Sequence, residues 1–258
     1  MGSFDFGNIG FSGTLRPSQL AAKSVIEPQL SEGADQLYIV APPGSGKTIL
    51  GLYVWADMVR KPALVLSPNS AIQAQWLART SLFDLDGNED GLSLDPKKPG
   101  LLTSLTYQSL TMVRSRGDDL EGAGLQMWLA KLIDDGEAID EASGLAWLED
   151  LRVKNPDYFE KEMKKYRKKV RREKVGEDGA LAWLNEGAKA SIEALKAANI
   201  GLIILDECHH LTEHWGEVLL ALREELGHPI VLGLTATPPD EEKAGVVHYK
   251  ELLGEIDY

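Results

Sequence analysis

One cysteine in 258 residues, Cys208, has nothing to pair with inside the chain, which excludes a disulfide scaffold and points to the cytoplasm or another reducing compartment. Basic side chains are the minority, 27 against 40 acidic ones for a net charge of −13. Bulk charge therefore does not draw this chain onto nucleic acid, and any such contact must come from a local patch. Long apolar runs are also missing. The longest, near residues 200–205, falls far short of the roughly 20 residues a membrane span needs. The opening MGSFDFGNIG has neither a basic n-region nor an apolar h-region, so no signal peptide is expected. With 43% hydrophobic and 26% charged residues, the composition excludes a disordered or collagen-like chain.

What is present alternates. Short apolar runs at 36–41, 62–68, 101–107, 200–207 and 229–237 read as strands, separated by helical stretches at 15–26, 47–60, 71–79 and 211–226. That alternation predicts an α/β fold, a parallel sheet with helices on both faces. Residues 1–13, rich in Gly, Phe and Ser, read as a loosely held arm. The stretch 117–199 breaks the pattern: it has no strand-like run, and Gly136, Pro156 and Gly176 or Gly179 mark helix ends. It reads as an all-helical insertion dividing a core of 1–116 and 200–258. Trp128, Trp147 and Trp183 fall on apolar helical patterns there and are expected to pack a small core. Residues 161–174 hold nine basic and two acidic side chains, while Phe159, Met163, Tyr166 and Val170 share one helical face. Either that helix presents charge such as Lys168 and Arg171 to nucleic-acid phosphates, or it pairs with neighbouring acidic helices.

Three segments carry chemistry. Ala41-Pro-Pro-Gly-Ser-Gly-Lys-Thr48 follows a strand and opens a helix, the context a phosphate-binding loop requires. Gly44 and Gly46 let the backbone turn its N–H groups toward phosphate oxygens, and the helix start adds partial positive charge. Lys47 can reach the β- and γ-phosphates and the Thr48 hydroxyl can bind Mg²⁺. Asp206 and Glu207 leave a buried strand together, which is costly unless they meet a cation or donors. Asp206 suits the metal and Glu207 the attacking water. Leu234-Thr-Ala-Thr-Pro238 closes the next strand with two hydroxyls placed to sense a phosphate. Cys208, His209, His210 and His214 are too tightly spaced for a relaxed tetrahedral zinc site, so no zinc is expected.

In that order, APPGSGKT, DECH and LTATP resemble motifs I, II and III of superfamily 2 helicases and translocases, the DEAD/DEAH-box kind in a DECH variant. Leu15-Arg-Pro-Ser-Gln19 is similar to the adenine-reading Q-type motif, residues 66–76 to motif Ia and residues 106–109 to motif Ib. The resemblance covers the core of the chain and not the helical stretch. It implies a RecA-like ATP-binding domain with ATP and Mg²⁺ as cofactors. By position, Arg16 and Gln19 would read adenine, and Pro43, Gly44, Ser45, Gly46, Lys47 and Thr48 would cradle phosphate. His209, Thr235 and Thr237 would couple hydrolysis to movement. Pro68, Asn69, Thr106 and Gln108 would meet the sugar-phosphate backbone.

The family's motor has a second RecA-like domain carrying motifs IV to VI and an arginine finger, and no such set follows Thr237 here. The chain therefore reads as the first half of a motor, completed in cis or in trans. Loss of an arginine finger costs roughly 10³–10⁵ in rate, so the isolated chain is expected to bind ATP–Mg²⁺ and turn it over very slowly. DECH and LRPSQ favour DNA over RNA as the track. An RNA helicase and a nucleotide-gated interaction module stay open as alternatives.

Overall fold

The structure, a computed structural model, describes residues 6–111, 117–211, 213–237 and 251–254. Pro238 and the side chains of Arg171, Trp183, His210 and His214 lie outside the described residues. In chain order the elements are β1 (Gly10–Phe11), α1 (Pro17–Ser31), β2 (Gln36–Val40), α2 (Lys47–Tyr53), β3 (Ala63–Ser67), α3 (Ser70–Arg79), β4 (Phe83–Asp84), β5 (Leu92–Ser93) and β6 (Leu102–Thr106). There follow α4 (Tyr107–Thr111), α5 (Gly117–Asp134), α6 (Glu141–Lys154), α7 (Pro156–Asp178), α8 (Glu186–Ala197), β7 (Leu202–Asp206), α9 (Glu213–Glu225) and β8 (Ile230–Thr235). They form two compact units, 113–183 and the remainder.

The larger unit is built on a parallel six-stranded sheet in the order β2-β8-β7-β3-β6-β5. All five residues of β3 and of β7 are buried. That is why these strands read as continuous Leu/Ile/Val runs rather than alternating ones: helices cover both faces. The α/β class expected from the alternation is the one found. Register aligns the strand ends that matter. Val40 faces Thr235, Asp206 faces Leu234, and Ser67 faces Thr106. The loops after β2, β3, β6, β7 and β8 therefore emerge at one edge of the sheet, where open α/β folds bind ligands.

At the arm and at the unit boundary the expectations change. The N-terminal arm is anchored rather than loose: Phe6 and Ile9 are buried, and β1 pairs antiparallel with β4. Its glycines mask three apolar anchors. Phe6 meets the Trp55 ring edge-on at 6.1 Å, Phe11 lies 5.0 Å from Phe83, and Arg60 donates to the carbonyls of Phe6 and Ile9. The helical unit ends at residue 183 rather than 199. The buried stripe of α8, Ala188, Ile192 and Leu195, belongs to the sheet unit, where α8 packs beside α4.

The smaller unit packs α5, α6 and α7 around Trp128, Leu129, Leu132, Leu148, Phe159 and Met163. Trp128 stacks on Tyr166 at 5.3 Å and meets Trp147 edge-on at 6.3 Å. Trp128 is thus the core residue expected, whereas Trp147 is 43% exposed. The face Phe159, Met163, Tyr166, Val170 turns inward as its spacing predicts: Phe159, Met163 and Val170 are buried. Gly176 does not stop α7. The helix runs to Asp178 and ends at Gly179, whose φ of 83° suits glycine. Arg167 bridges Glu121 at 3.0 Å and Glu160 at 2.7 Å, so part of the basic face is already paired within the unit. Among the described residues no helix is long and apolar enough to cross a membrane.

Candidate functional site

The loop between β2 and α2 turns on two glycines. Gly44 has φ 78° and Gly46 φ 87°, conformations that cost an L side chain. Gly46 is also the residue from which α2 starts, so the first N–H groups of that helix face out of the loop. Ala41, which stands where the general phosphate-loop pattern has glycine, uses both its backbone groups. Its N–H donates to Thr235 O at 2.9 Å, and its carbonyl accepts from Lys47 Nζ at 3.1 Å. The Lys47 ammonium also lies 3.7 Å from Glu207 Oε1, with its side chain only 9% exposed.

Across from the lysine, β7 delivers Asp206 and Glu207. Asp206 is 5% exposed and accepts a hydrogen bond on Oδ2 from Trp76 Nε1 at 2.6 Å. Burial raises its carboxyl above the ordinary 3.8. The Trp76 donor works against that shift, the Glu207 charge adds to it, and the Glu207 backbone N–H and Lys47 oppose it. Glu207 sits at φ 48° and ψ 46°, a left-handed conformation unusual for a non-glycine residue. The twist sends its carboxylate toward Lys47 on one side and His209 on the other. Glu207 Oε2 is buried without a hydrogen bond of good geometry, although His209 Nδ1 lies 3.3 Å away.

Beyond Glu207 a chain of contacts runs to the end of β8. His209 Nδ1 is 2.7 Å from Thr235 Oγ1, which donates to Thr237 O at 2.9 Å and accepts from Thr237 N at 3.3 Å. Because the Thr235 hydroxyl proton is committed to Thr237, the network assigns the His209 proton to Nδ1. His209, Thr235 and Thr237, the three residues expected to couple hydrolysis to movement, are thus in one hydrogen-bonded string.

On the opposite wall α1 reaches the loop. Gln19, 4% exposed, accepts from Arg16 N at 2.8 Å and donates from Nε2 to Gly46 O at 3.0 Å. Arg16 Nη1 donates to Gly44 O at 3.1 Å. A Cβ on Gly46 would come within 2.4 Å of Gln19 Nε2, so a side chain there would displace the Gln19 carboxamide, and the φ of 87° independently favours glycine. Gln19 carries out a task the sequence does not announce, bracing the loop backbone.

These groups enclose one cavity of about 510 Å³, within the range of small-molecule sites. Arg16, Gln19, Pro43, Gly44, Gly46, Lys47, Thr48, Asp206 and Glu207 all line it. Ser45 does not, and its buried Oγ has no hydrogen-bond partner. Phe11, Gln75 and Arg79 line it too and were not expected. Phe11 is anchored through β1, while Gln75 and Arg79 are polar positions of α3 that local pattern leaves unassigned. Pro68, Asn69, Thr106 and Gln108, expected to meet nucleic acid, do not line the cavity. Asn69 caps α3 by accepting from Ile72 N at 3.0 Å, and Thr106 O accepts from Ser109 Oγ at 2.6 Å. Gln108 is exposed. Lys168 is exposed on α7, in the other unit.

Residues 12–111 and 147–240 match the family model described as "Type III restriction enzyme, res subunit". Over 68 residues the chain is 41% identical to the "Probable ATP-dependent DNA helicase RecS" of Bacillus subtilis (strain 168). That stretch is 24% of this chain and covers 14% of the relative's length.

Proposed function

The chain belongs to the type III restriction enzyme res-subunit family, and from that premise we propose that its sheet unit is the ATP-binding first motor domain of a superfamily 2 DNA helicase or translocase. The observation that carries this reading is the convergence of Lys47, Thr48, Asp206 and Glu207 on a single cavity. Amides of residues 44–48 cradle the phosphates, and Lys47 leaves the Ala41 carbonyl and Glu207 for the β- and γ-oxygens. The adenine edge meets Arg16 and Gln19. The Gln19 carboxamide keeps one N–H and one lone pair after its contacts to Gly46 and Arg16, the pair an adenine edge requires.

Magnesium fits the donors present. Asp206 offers a buried carboxylate, Thr48 lines the same cavity with its hydroxyl-bearing side chain, and Glu207 offers a buried oxygen without a hydrogen bond. Such all-oxygen sets suit a hard cation that takes one or two protein ligands and substrate phosphates. Asp206 and Thr48 would hold it, and when bound it supplies positive charge against the phosphate oxygens. Glu207 takes the proton of the attacking water. Its change of charge is felt by His209, and through Thr235 by Thr237, which couples the reaction to motif III.

Turnover on this reading needs the arginine finger of a second RecA-like domain, in cis or in trans, and without it falls by roughly 10³–10⁵. Pro68, Asn69, Thr106 and Gln108 meet the backbone of a DNA strand, and the basic run of α7 that includes Lys168 and Arg171 adds positive charge. The test is calorimetry of ATP with Mg²⁺ on the chain and on Lys47→Ala. Binding that falls about 10–100-fold in the variant is expected, the loss of a hydrogen bond between charged groups. No binding by the unaltered chain would refute the reading. ATPase assays with single-stranded DNA, duplex DNA and RNA in the presence of the second domain decide the track. Stimulation by none of them would point to a nucleotide-gated interaction module instead.

A further inference from the structure

Asp206 is held at two points by residues from two other segments. Trp76, fully buried on α3, donates its indole N–H to the carboxylate Oδ2 at 2.6 Å. Tyr107, fully buried at the start of α4, donates its hydroxyl to the Asp206 carbonyl at 3.0 Å. One donor stops rotation of the carboxylate and the other stops displacement of its backbone. Neither aromatic is loose. The Tyr107 ring stacks on Trp215 at 5.1 Å and 12°. The Trp76 ring passes so close to α2 that a Cβ on Gly51 would lie 2.6 Å from its Cη2. Both donors stand close in sequence to residues expected to touch a nucleic-acid strand. Trp76 is two helical turns beyond Asn69, the cap of α3, and Tyr107 directly follows Thr106.

We propose that Trp76 and Tyr107 are positioning residues for Asp206, fixing the carboxylate in the orientation that accepts Mg²⁺ and tying it to the two strand-contacting segments. The inference rests on the proposed ATP–Mg²⁺ site. A carboxylate restrained before the ion arrives loses less freedom on binding it, and loss of such an outer partner typically costs 10–100-fold in metal affinity. A purely packing role for the two rings would lower ATP binding with and without Mg²⁺ alike.

The experiment uses the full chain, Trp76→Phe and Tyr107→Phe, each titrated with ATP in EDTA and with Mg²⁺ at fixed ATP. Thermal unfolding is followed in parallel. Trp76→Phe is expected to raise the Mg²⁺ concentration at half-effect about 10–100-fold while ATP binding in EDTA stays within about twofold. Tyr107→Phe, which removes a single hydroxyl and keeps the stack on Trp215, shifts it in the same direction by a smaller factor. Should Trp76→Phe not fold, Tyr107→Phe alone carries the test. If the unaltered chain responds to Mg²⁺ and the folded variants respond identically, the inference is overturned while the functional reading survives. If ATP binding in EDTA falls as far as binding with Mg²⁺, the rings act by packing and the inference is likewise overturned. A chain that binds no ATP under either condition removes the functional reading and this inference with it.

Discussion

Gly51→Ala sets two effects of known sign against each other. Gly51 lies inside α2, and replacing an interior helical glycine by alanine ordinarily stabilises by about 1 kcal/mol. Here the added Cβ would sit 2.6 Å from Trp76 Cη2 and 3.1 Å from Leu234 Cδ1, where carbon atoms prefer about 3.5–4.0 Å. Trp76 has no exposed surface to swing into, and its N–H is engaged at 2.6 Å with Asp206. Overpacking of this kind costs about 1–3 kcal/mol. Stretching a hydrogen bond to a carboxylate puts a further 1.5–3 kcal/mol, roughly, at risk. The steric terms win, and a net loss of about 1–3 kcal/mol is expected, or about 2–4 °C in Tm for each kcal/mol in a chain of this size. Gly122 is the control. It lies inside α5, and a Cβ there would meet nothing within 4 Å, so Gly122→Ala should gain about 0.5–1 kcal/mol. Urea unfolding followed by far-UV circular dichroism and tryptophan fluorescence reads both. Shifts of the same sign in the two variants would refute the argument that Trp76 is wedged against α2.

Two further expectations address the arm and the basic helix. Asp57 accepts from Phe11 N at 3.3 Å, and burial raises its carboxyl above the ordinary 3.8, while the Phe11 amide, Arg60 and Lys23 pull it back. The folded chain therefore binds that proton more tightly than the unfolded one, and stability falls as pH rises through the carboxylate range. Asp57→Asn, which keeps an acceptor for Phe11, should be the more stable form at neutral pH by on the order of 0.5 kcal/mol after solvent screening. The advantage should vanish in acid, and urea midpoints at pH 3 and pH 7 would expose an error in sign. Lys168→Glu combined with Arg171→Glu should weaken DNA binding and reduce the log–log salt slope by about two, one for each phosphate no longer neutralised. An unchanged slope would mean that α7 serves only its neighbouring helices, as Arg167 already does with Glu121 and Glu160.

The central strands were legible because a strand buried on both faces needs an unbroken apolar run, and 63–67, 202–206 and 230–235 have one. The phosphate-loop lysine and the acids of β7 were legible because their chemistry demands fixed neighbours. Other features leave no local trace. β1 and β4 are two residues each, too short for periodicity to register. The boundary near residue 183 was missed because an amphipathic stripe does not say which of two cores it faces. The Trp76–Asp206 bond joins positions 130 residues apart. Its only sign in the sequence is a tryptophan in the mixed apolar and polar SAIQAQWLAR and a glycine inside the helical segment KTILGLY.

The sheet order has a consequence for how the chain comes off the ribosome. β2, which leads into the loop bearing Lys47, has β8 as its hydrogen-bonded neighbour, and β8 is made long after it. At about 5–20 residues per second, growth from residue 40 to residue 230 takes roughly 10–40 s. Through that interval the nascent QLYIV segment has no hydrogen-bonded strand beside it, so the piece of chain that shapes the nucleotide loop is the one that waits for its place in the sheet.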